Sequence, residues 1–161
     1  MCATIVSTVD LTSPAFMHEQ NIPTEFTAAG SGAFPPLHIA AVPPATTSLA
    51  LIVDDPDVPK SRRPSGIFDH WVVWNLPPST TAIERLDAVP GIVGLNSRGE
   101  HGYVPPGPPP GTGSHRYYFT LYALDCSLTL DPATTKDELL AAIDGHIITT
   151  AVLLGRYETQ S

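Results

Sequence analysis

The chain has 161 residues, 42% hydrophobic and 15% charged, which suits one domain over residues 1–161 with its own core and no charge-rich disordered tract. Its formal charge is −8 with only eight Lys and Arg, so no basic face exists to neutralise nucleic-acid phosphates or to hold an anionic membrane surface. The two cysteines, Cys2 and Cys126, suggest neither a disulfide framework nor a zinc spacing, and the 18 Pro and 12 Gly predict many turns and few long helices.

The first residues, MCAT, show neither the basic region nor the apolar stretch of a signal peptide. No apolar run reaches the roughly 18 residues that span a membrane, so a cytoplasmic protein without integral membrane association is expected. Residues 48–54 (SLALIVD) are apolar on both faces and predict a central, fully covered strand. Residues 70–76 (HWVVWNL) and 117–124 (YYFTLYAL) predict two more of the same kind. Strands covered on both sides require layers above and below, which two packed antiparallel sheets supply, with short peripheral helices. The fold class is therefore mainly β, a β-sandwich.

Between the second and third strands lie 38 residues, 77–114. Residues 91–95 suit an edge strand. The later GYVPPGPPPGTGSH stretch suits neither strand nor helix, because proline removes donors and fixes φ. A loop this long, stiffened by five prolines, predicts a rigid, site-forming element. Residues 134–143 (TTKDELLAAI) carry hydroxyl caps, acidic residues in the first turn and Gly145 beyond the end, and predict a helix near the C-terminus. Leu139, Leu140 and Ile143 form its apolar stripe. Residues 146–154 are apolar and fit either a strand or a short helix.

Candidate chemistry collects at the strand ends. The run Asp54-Asp55-Pro56-Asp57 closes the first central strand, His70 opens the second and His115 opens the third. If the first two strands are antiparallel neighbours, Asp55 and His70 meet on one rim. The long connection has the reach to bring His115 to the same rim. Two imidazoles and a carboxylate beneath a Pro-Gly loop suit a small anion or a polar head group, with glycine amides at Gly107, Gly111 and Gly113 as further donors. Arg116 is expected to pair with Asp55 or Asp57. Trp71 and Trp74 are expected in the core, His101 in solvent, and His18, His38 and His146 as structural residues without partners.

Other chemistries lack their signatures. No G-x-S-x-G elbow, P-loop or dinucleotide fingerprint is present. Cys126 has no sequence neighbour that would activate it as a nucleophile. Asp55, His70 and His115 match a two-His, one-carboxylate metal set by residue type, but no H-x-H or H-x-x-x-H spacing accompanies them. No metal, no cofactor and no catalytic residue is expected.

These elements resemble those of the phosphatidylethanolamine-binding protein family, also called the Raf kinase inhibitor protein family, and its small prokaryotic members above all. The resemblance rests on Asp55-Pro56-Asp57 with Pro59, on His70-Trp71-Val72, and on Gly107-Pro108-Pro109 leading through Gly111 and Gly113 to His115-Arg116-Tyr117. Weaker agreement runs through Asn21-Ile22-Pro23, Gly30, Pro35-Pro36-Leu37, Asn96 and Gly145-His146 to Gly155 and Tyr157, in the family's order along nearly the whole chain.

The resemblance implies two antiparallel sheets with short helices and an anion pocket formed by Asp55, His70, Gly107, Pro108, Pro109, His115 and Tyr117, with Asp57 close by. It implies ligands such as phosphate, acetate or a phosphoethanolamine head group, and protein kinases or serine proteases as partners of some members. The chain departs from the family at Pro105, where relatives often carry Gly, at Gly107, where many prokaryotic ones carry Cys, and at His38-Ile39-Ala40, where an aromatic is usual. A non-catalytic binding or inhibitor protein is the principal expectation. The alternative is an enzyme using Asp55, His70 and His115 for acid–base chemistry on a small metabolite. Ile92, Val93 and Leu95 offer an apolar surface for self-association as a homodimer.

Overall fold

Seven of the eight positions of residues 48–55 are buried, and this stretch forms the middle strand of the larger sheet. The computed structural model describes residues 8–160, so Cys2 lies outside the described residues. In chain order the strands are β1 (Asp10–Thr12), β2 (Leu37–Ala40), β3 (Ser48–Asp55), β4 (Phe68–Leu76), β5 (Ala82–Ile83), β6 (Ile92–Val93), β7 (His115–Leu124) and β8 (Ile147–Tyr157). Helix α1 (Lys136–Ile143) lies between β7 and β8, and 3-10 turns occur at Thr24–Phe26 and Leu86–Ala88. No helix among the described residues is long and apolar enough to cross a membrane.

The strands form a five-stranded antiparallel sheet in the order β6-β4-β3-β7-β8 and a three-stranded one in the order β1-β2-β5. This is the expected pair of antiparallel sheets. Because successive strand residues face opposite sides, β3 sends Leu49, Leu51 and Val53 toward the small sheet, where they meet Leu11, Leu37, Ile39, Trp71 and Phe119. Ala50 and Ile52 face the other way, with Val72 and Trp74, under Leu139 and Ile143 of α1. The helix therefore covers the second face of the sheet, which explains why β3 and β4 are apolar on both sides. Strand β7 alternates more than its sequence suggests, since Tyr118, Thr120 and Tyr122 are only half-buried.

Helix α1 begins where its capping chemistry dictates. The Thr135 hydroxyl accepts from the Glu138 amide while the Glu138 carboxylate accepts from the Thr135 amide, a reciprocal cap that occupies two otherwise unpaired donors. Leu139 and Ile143 are buried but Leu140 is exposed, so the apolar stripe is narrower than expected. At the first turn Lys136 is buried with its Nζ 3.2 Å from Asp54 and 2.8 Å from Asp69, tying the helix to β3 and β4. Of residues 146–154, all but His146 resolve as strand, pairing with β7 from Leu124↔Ile147 onward. Ile92 and Val93 pair with β4 and pack half-buried against the two cores.

Gly155 on β8 shows how tightly the N-terminal segment seats on the sheet. A Cβ there would lie 2.5 Å from Ile22 Cγ1 and 2.8 Å from Phe16 Cε2, both buried side chains. Gly155→Ala is expected to destabilise the fold by about 1–3 kcal/mol through overpacking. Urea unfolding checks this, and an unchanged midpoint would mean that the segment gives way at no cost.

Candidate functional site

The sheet order places the three candidate strand ends together. Strand β3 lies between β4 and β7, and both neighbours are antiparallel to it. The end of β3 therefore lies beside the beginnings of both β4 and β7. Asp55, His70 and His115 are all buried on this rim, at 3%, 5% and 1% exposure.

The pairing differs from the one expected. Asp55 does not bond His70; its Oδ2 accepts from His115 Nδ1 at 2.7 Å, while Oδ1 accepts from the Asp57 amide at 2.8 Å. Strand β3 has two antiparallel neighbours, and Asp55 pairs with the imidazole delivered by β7, not with the one from β4. Burial raises the Asp55 pKa above the usual carboxylate value, and its bonds to His115 and the Asp57 amide oppose the rise.

The Pro-Gly loop bonds the far side of His115. Pro109, Pro110, Gly111 and Thr112 form a turn closed by the Thr112 amide on the Pro109 carbonyl at 3.2 Å. Proline at the second position and a left-handed glycine at the third, Gly111 with φ +83°, are what a type II turn requires. The Thr112 hydroxyl lies 2.6 Å from the Pro109 carbonyl and 2.9 Å from His115 Nε2. Both ring nitrogens of His115 are thus engaged by protein groups, Nδ1 by the Asp55 carboxylate and Nε2 by the Thr112 hydroxyl.

His70 clamps the start of the same loop. Its Nδ1 donates to the Val104 carbonyl at 2.6 Å, and the Val104 amide donates to the His70 carbonyl at 3.0 Å. The remaining nitrogen, Nε2, is then a lone-pair acceptor. Burial pushes the His70 pKa down to about 4, so the ring is neutral at pH 7. Tyr117 stands edge-on to His70, with ring centroids 5.3 Å apart, and lies near-parallel to His115. Its hydroxyl is buried near the Asp55 carboxylate but makes no hydrogen bond of good geometry to it or to any other protein group. Burial raises its pKa, and the Asp55 carboxylate raises it further, so the hydroxyl keeps its proton.

These side chains line a cavity of about 440 Å³ that also takes in Gly107, Pro108 and Pro109 from the loop. Of the proposed ligand-binding set, Asp55, His70, Gly107, Pro108, Pro109, His115 and Tyr117 converge on it. Asp57 does not line it. Its carboxylate is held by the Arg116 guanidinium at 2.8 and 2.9 Å and by the Arg116 amide at 2.8 Å, bracing the rim. Those Arg116 bonds hold the Asp57 carboxyl below its ordinary pKa. His18 and His146, expected without partners, have them: His18 Nδ1 accepts from the Leu154 amide at 3.0 Å, and His146 pairs with Asp125 at 2.8 Å.

Three cationic residues not expected there, Arg62, Arg63 and Arg98, also line the cavity, beside apolar lining such as Val58 and Phe68. They make up three of the eight basic residues of an acidic chain. Arg63 is held over the Phe68 ring at 5.0 Å and donates to the Ser97 carbonyl at 3.3 Å. The available signal was positional. The β3–β4 connection, which carries Arg62 and Arg63, begins and ends on this rim; Arg98 reaches the cavity from the β6–β7 connection, and no such signal marks it.

The family description "Phosphatidylethanolamine-binding protein" matches residues 12–158. A UPF0098 protein of Chlamydia trachomatis is 47% identical over 93% of this chain and 99% of its own length. A UPF0098 protein of Methanothermobacter thermautotrophicus is 40% identical over 92% and 98%. Among solved structures, a phosphatidylethanolamine-binding protein homologue from Chlamydia trachomatis superposes with a TM-score of 0.91 at 45% identity, covering 96% of this chain and 99% of that one. E. coli YbcL superposes with a TM-score of 0.84 at 25% identity, covering 96% and 100%. With the fold, the ordered motifs and these likenesses in agreement, the chain belongs to the phosphatidylethanolamine-binding protein family.

Proposed function

We propose that this protein binds a small anion or phosphorylated head group in the Asp55–His70–His115–Tyr117 cavity, without turning it over, and does so in the cytoplasm. The observation that carries the reading is the pair of unused polar atoms in the cavity. The Tyr117 hydroxyl is buried and unpartnered, and the His70 Nε2 is left free by the bond that Nδ1 makes. Leaving a buried polar group unpaired disfavours the fold by about 1–3 kcal/mol, a cost that a ligand oxygen removes directly at the Tyr117 hydroxyl and, once the ring takes up a proton, at His70 Nε2. The three arginines at the mouth favour negative charge on that ligand. Acid–base catalysis fits less well. His70 titrates near 4, far from neutral pH, and both His115 nitrogens are engaged by protein groups.

Calorimetric titration with inorganic phosphate and with phosphoethanolamine tests the proposal. His70→Ala is expected to weaken binding about tenfold or more, corresponding to the loss of one hydrogen bond to a charged group. Equal inertness of wild type and variant toward every anion would refute it. A pH signature accompanies the binding. An anion against Nε2 favours the imidazolium, so binding takes up a proton. Affinity for sulfate, whose charge is constant over this range, should rise as pH falls from 7 to 5, by up to about tenfold per unit. A flat profile would mean that the anion does not contact His70.

The exposed Pro110–Gly111 tip supports a second reading, inhibition of a serine protease or a kinase by the loop. A carboxypeptidase Y inhibitor, solved in complex with its proteinase, shares the fold at 21% identity with a TM-score of 0.57. Shortening the 104–113 loop would abolish such inhibition in a protease or kinase assay. Inhibition that survives the shortening would discard this reading.

A further inference from the structure

At the opposite end of the sheet, Asp125, Cys126 and His146 each present one ligand atom, and the three atoms lie within 4.8 Å of one another. We propose that these residues form a binding site for a zinc-type divalent transition metal, with one coordination position open to solvent. The site is independent of the anion cavity: the ten residues of β7 separate the two, about 30 Å along an extended strand.

The fold builds the cluster from two segments that the sequence keeps apart. Asp125 and Cys126 follow the last residue of β7, His146 precedes the first residue of β8, and the whole of α1 lies between. The β7–β8 ladder ends at Leu124↔Ile147, and one further bond, from the Asp125 amide to the His146 carbonyl at 3.0 Å, holds the segments together beyond it. Gly145, in the left-handed region at φ +83°, turns the chain out of the helix so that His146 comes back beside Asp125. From the edge of β3, the Ser48 hydroxyl donates to the Cys126 carbonyl at 2.6 Å and the Thr47 hydroxyl to the Asp125 carbonyl at 3.2 Å. The backbones that carry the ligands are thus fixed before a metal arrives, while the Asp125 and His146 side chains, each about half exposed, remain free to adjust.

The donor set selects the metal. A thiolate sulfur, an imidazole nitrogen and a carboxylate oxygen suit Zn(II) and its spectroscopic substitute Co(II). Calcium and magnesium prefer oxygen ligands throughout, and only one donor here is oxygen. Donors around a tetrahedral zinc lie about 3.5 Å apart, so the cluster closes onto an ion with small side-chain rotations. His146 Nδ1 lies 2.8 Å from Asp125 Oδ1, so the two side chains already face one another, and ligation through Nδ1 moves the ring proton to Nε2. Binding replaces the thiol proton: Cys126–SH and M²⁺ give Cys126–S⁻–M²⁺ and H⁺, with no change of oxidation state. Affinity therefore falls as pH is lowered. Three protein ligands leave the fourth position to water or to a donor from another molecule.

Titration of the full chain with Co(II), under reducing conditions and followed by absorption, tests the site. A thiolate-to-cobalt charge-transfer band should rise in the near ultraviolet, saturate at one equivalent and bleach on addition of Zn(II). It should vanish in Cys126→Ser, and His146→Ala should weaken binding about tenfold or more. Circular dichroism and phosphate titration of both variants should match wild type, separating loss of metal from loss of fold. The absence of a thiolate band would overturn the proposal. So would a band that survives in Cys126→Ser and thus arises from Cys2, or one unaffected by His146→Ala.

Discussion

Asp55→Ala is expected to lower the free energy of unfolding by about 3–5 kcal/mol, the range seen when one partner of a buried ion pair is removed. The carboxylate is 4% exposed and the His115 side chain 1%, so water does not reach the groups left behind. Two donors lose their acceptor: His115 Nδ1 at 2.7 Å and the Asp57 amide at 2.8 Å. His115→Ala should be comparably severe, because it leaves the Asp55 carboxylate buried and unpaired and frees Thr112 from the sheet. The informative measurement is the double variant. If the pair acts as a unit, Asp55→Ala with His115→Ala should be less destabilised than the two single losses added together. Urea unfolding of the four proteins supplies the cycle. Strict additivity would mean that each residue is held by its surroundings and not by the other.

The second large effect concerns pH. The His70 pKa lies near 4 in the folded chain, against an ordinary value of 6.5, because burial disfavours the charged ring. An unfolded chain therefore takes up a proton at His70 that the folded chain refuses. This contribution to stability is fully present above pH 6.5 and is lost progressively as pH falls from 6.5 toward 4. Its full size is about 3 kcal/mol. Asp54 and Asp55 act with the opposite sign, since burial raises both and the folded state accepts their protons more readily. Asp57, held low by Arg116, adds stability that is lost only when pH falls through the carboxylate range. The His70 part is isolated by comparing wild type with His70→Asn, whose amide can still donate to the Val104 carbonyl and does not titrate. Wild type should lose about 3 kcal/mol more than the variant between pH 7 and pH 4. Parallel stability curves would mean that His70 is protonated as readily in the fold as in water.

The parts of the molecule legible in the sequence are those with a strong one-dimensional signal. Strand β3 is apolar at consecutive positions because a second sheet covers one face and α1 the other. Helix α1 announces its start through Thr135 and Glu138 and its end through Gly145. The Pro-Gly loop is readable because Pro110 fixes φ and Gly111 tolerates the positive φ that the turn demands. What stayed hidden depends on which elements become neighbours. Asp55 bonds His115 and not His70 because β3 has two antiparallel partners, and periodicity does not say which delivers its imidazole first. Arg62 and Arg63 cluster with Lys60 in the sequence, but nothing local shows that they meet Arg98 at the rim. Asp125 and His146 meet only because the β7–β8 ladder brings together two segments separated by a helix. Leu140 fits the helical stripe by spacing, yet falls outside the narrow strip that α1 buries.

The proposed ligand cavity presents the Tyr117 hydroxyl and the His70 Nε2. The most direct measurement is a crystal structure of the protein grown with phosphoethanolamine at saturating concentration. It should show phosphate oxygens at about 2.6–3.2 Å from Tyr117 Oη and His70 Nε2, with Arg62, Arg63 or Arg98 turned toward the head group. A cavity that holds only water under those conditions, with the compound bound elsewhere or nowhere, would contradict the proposal.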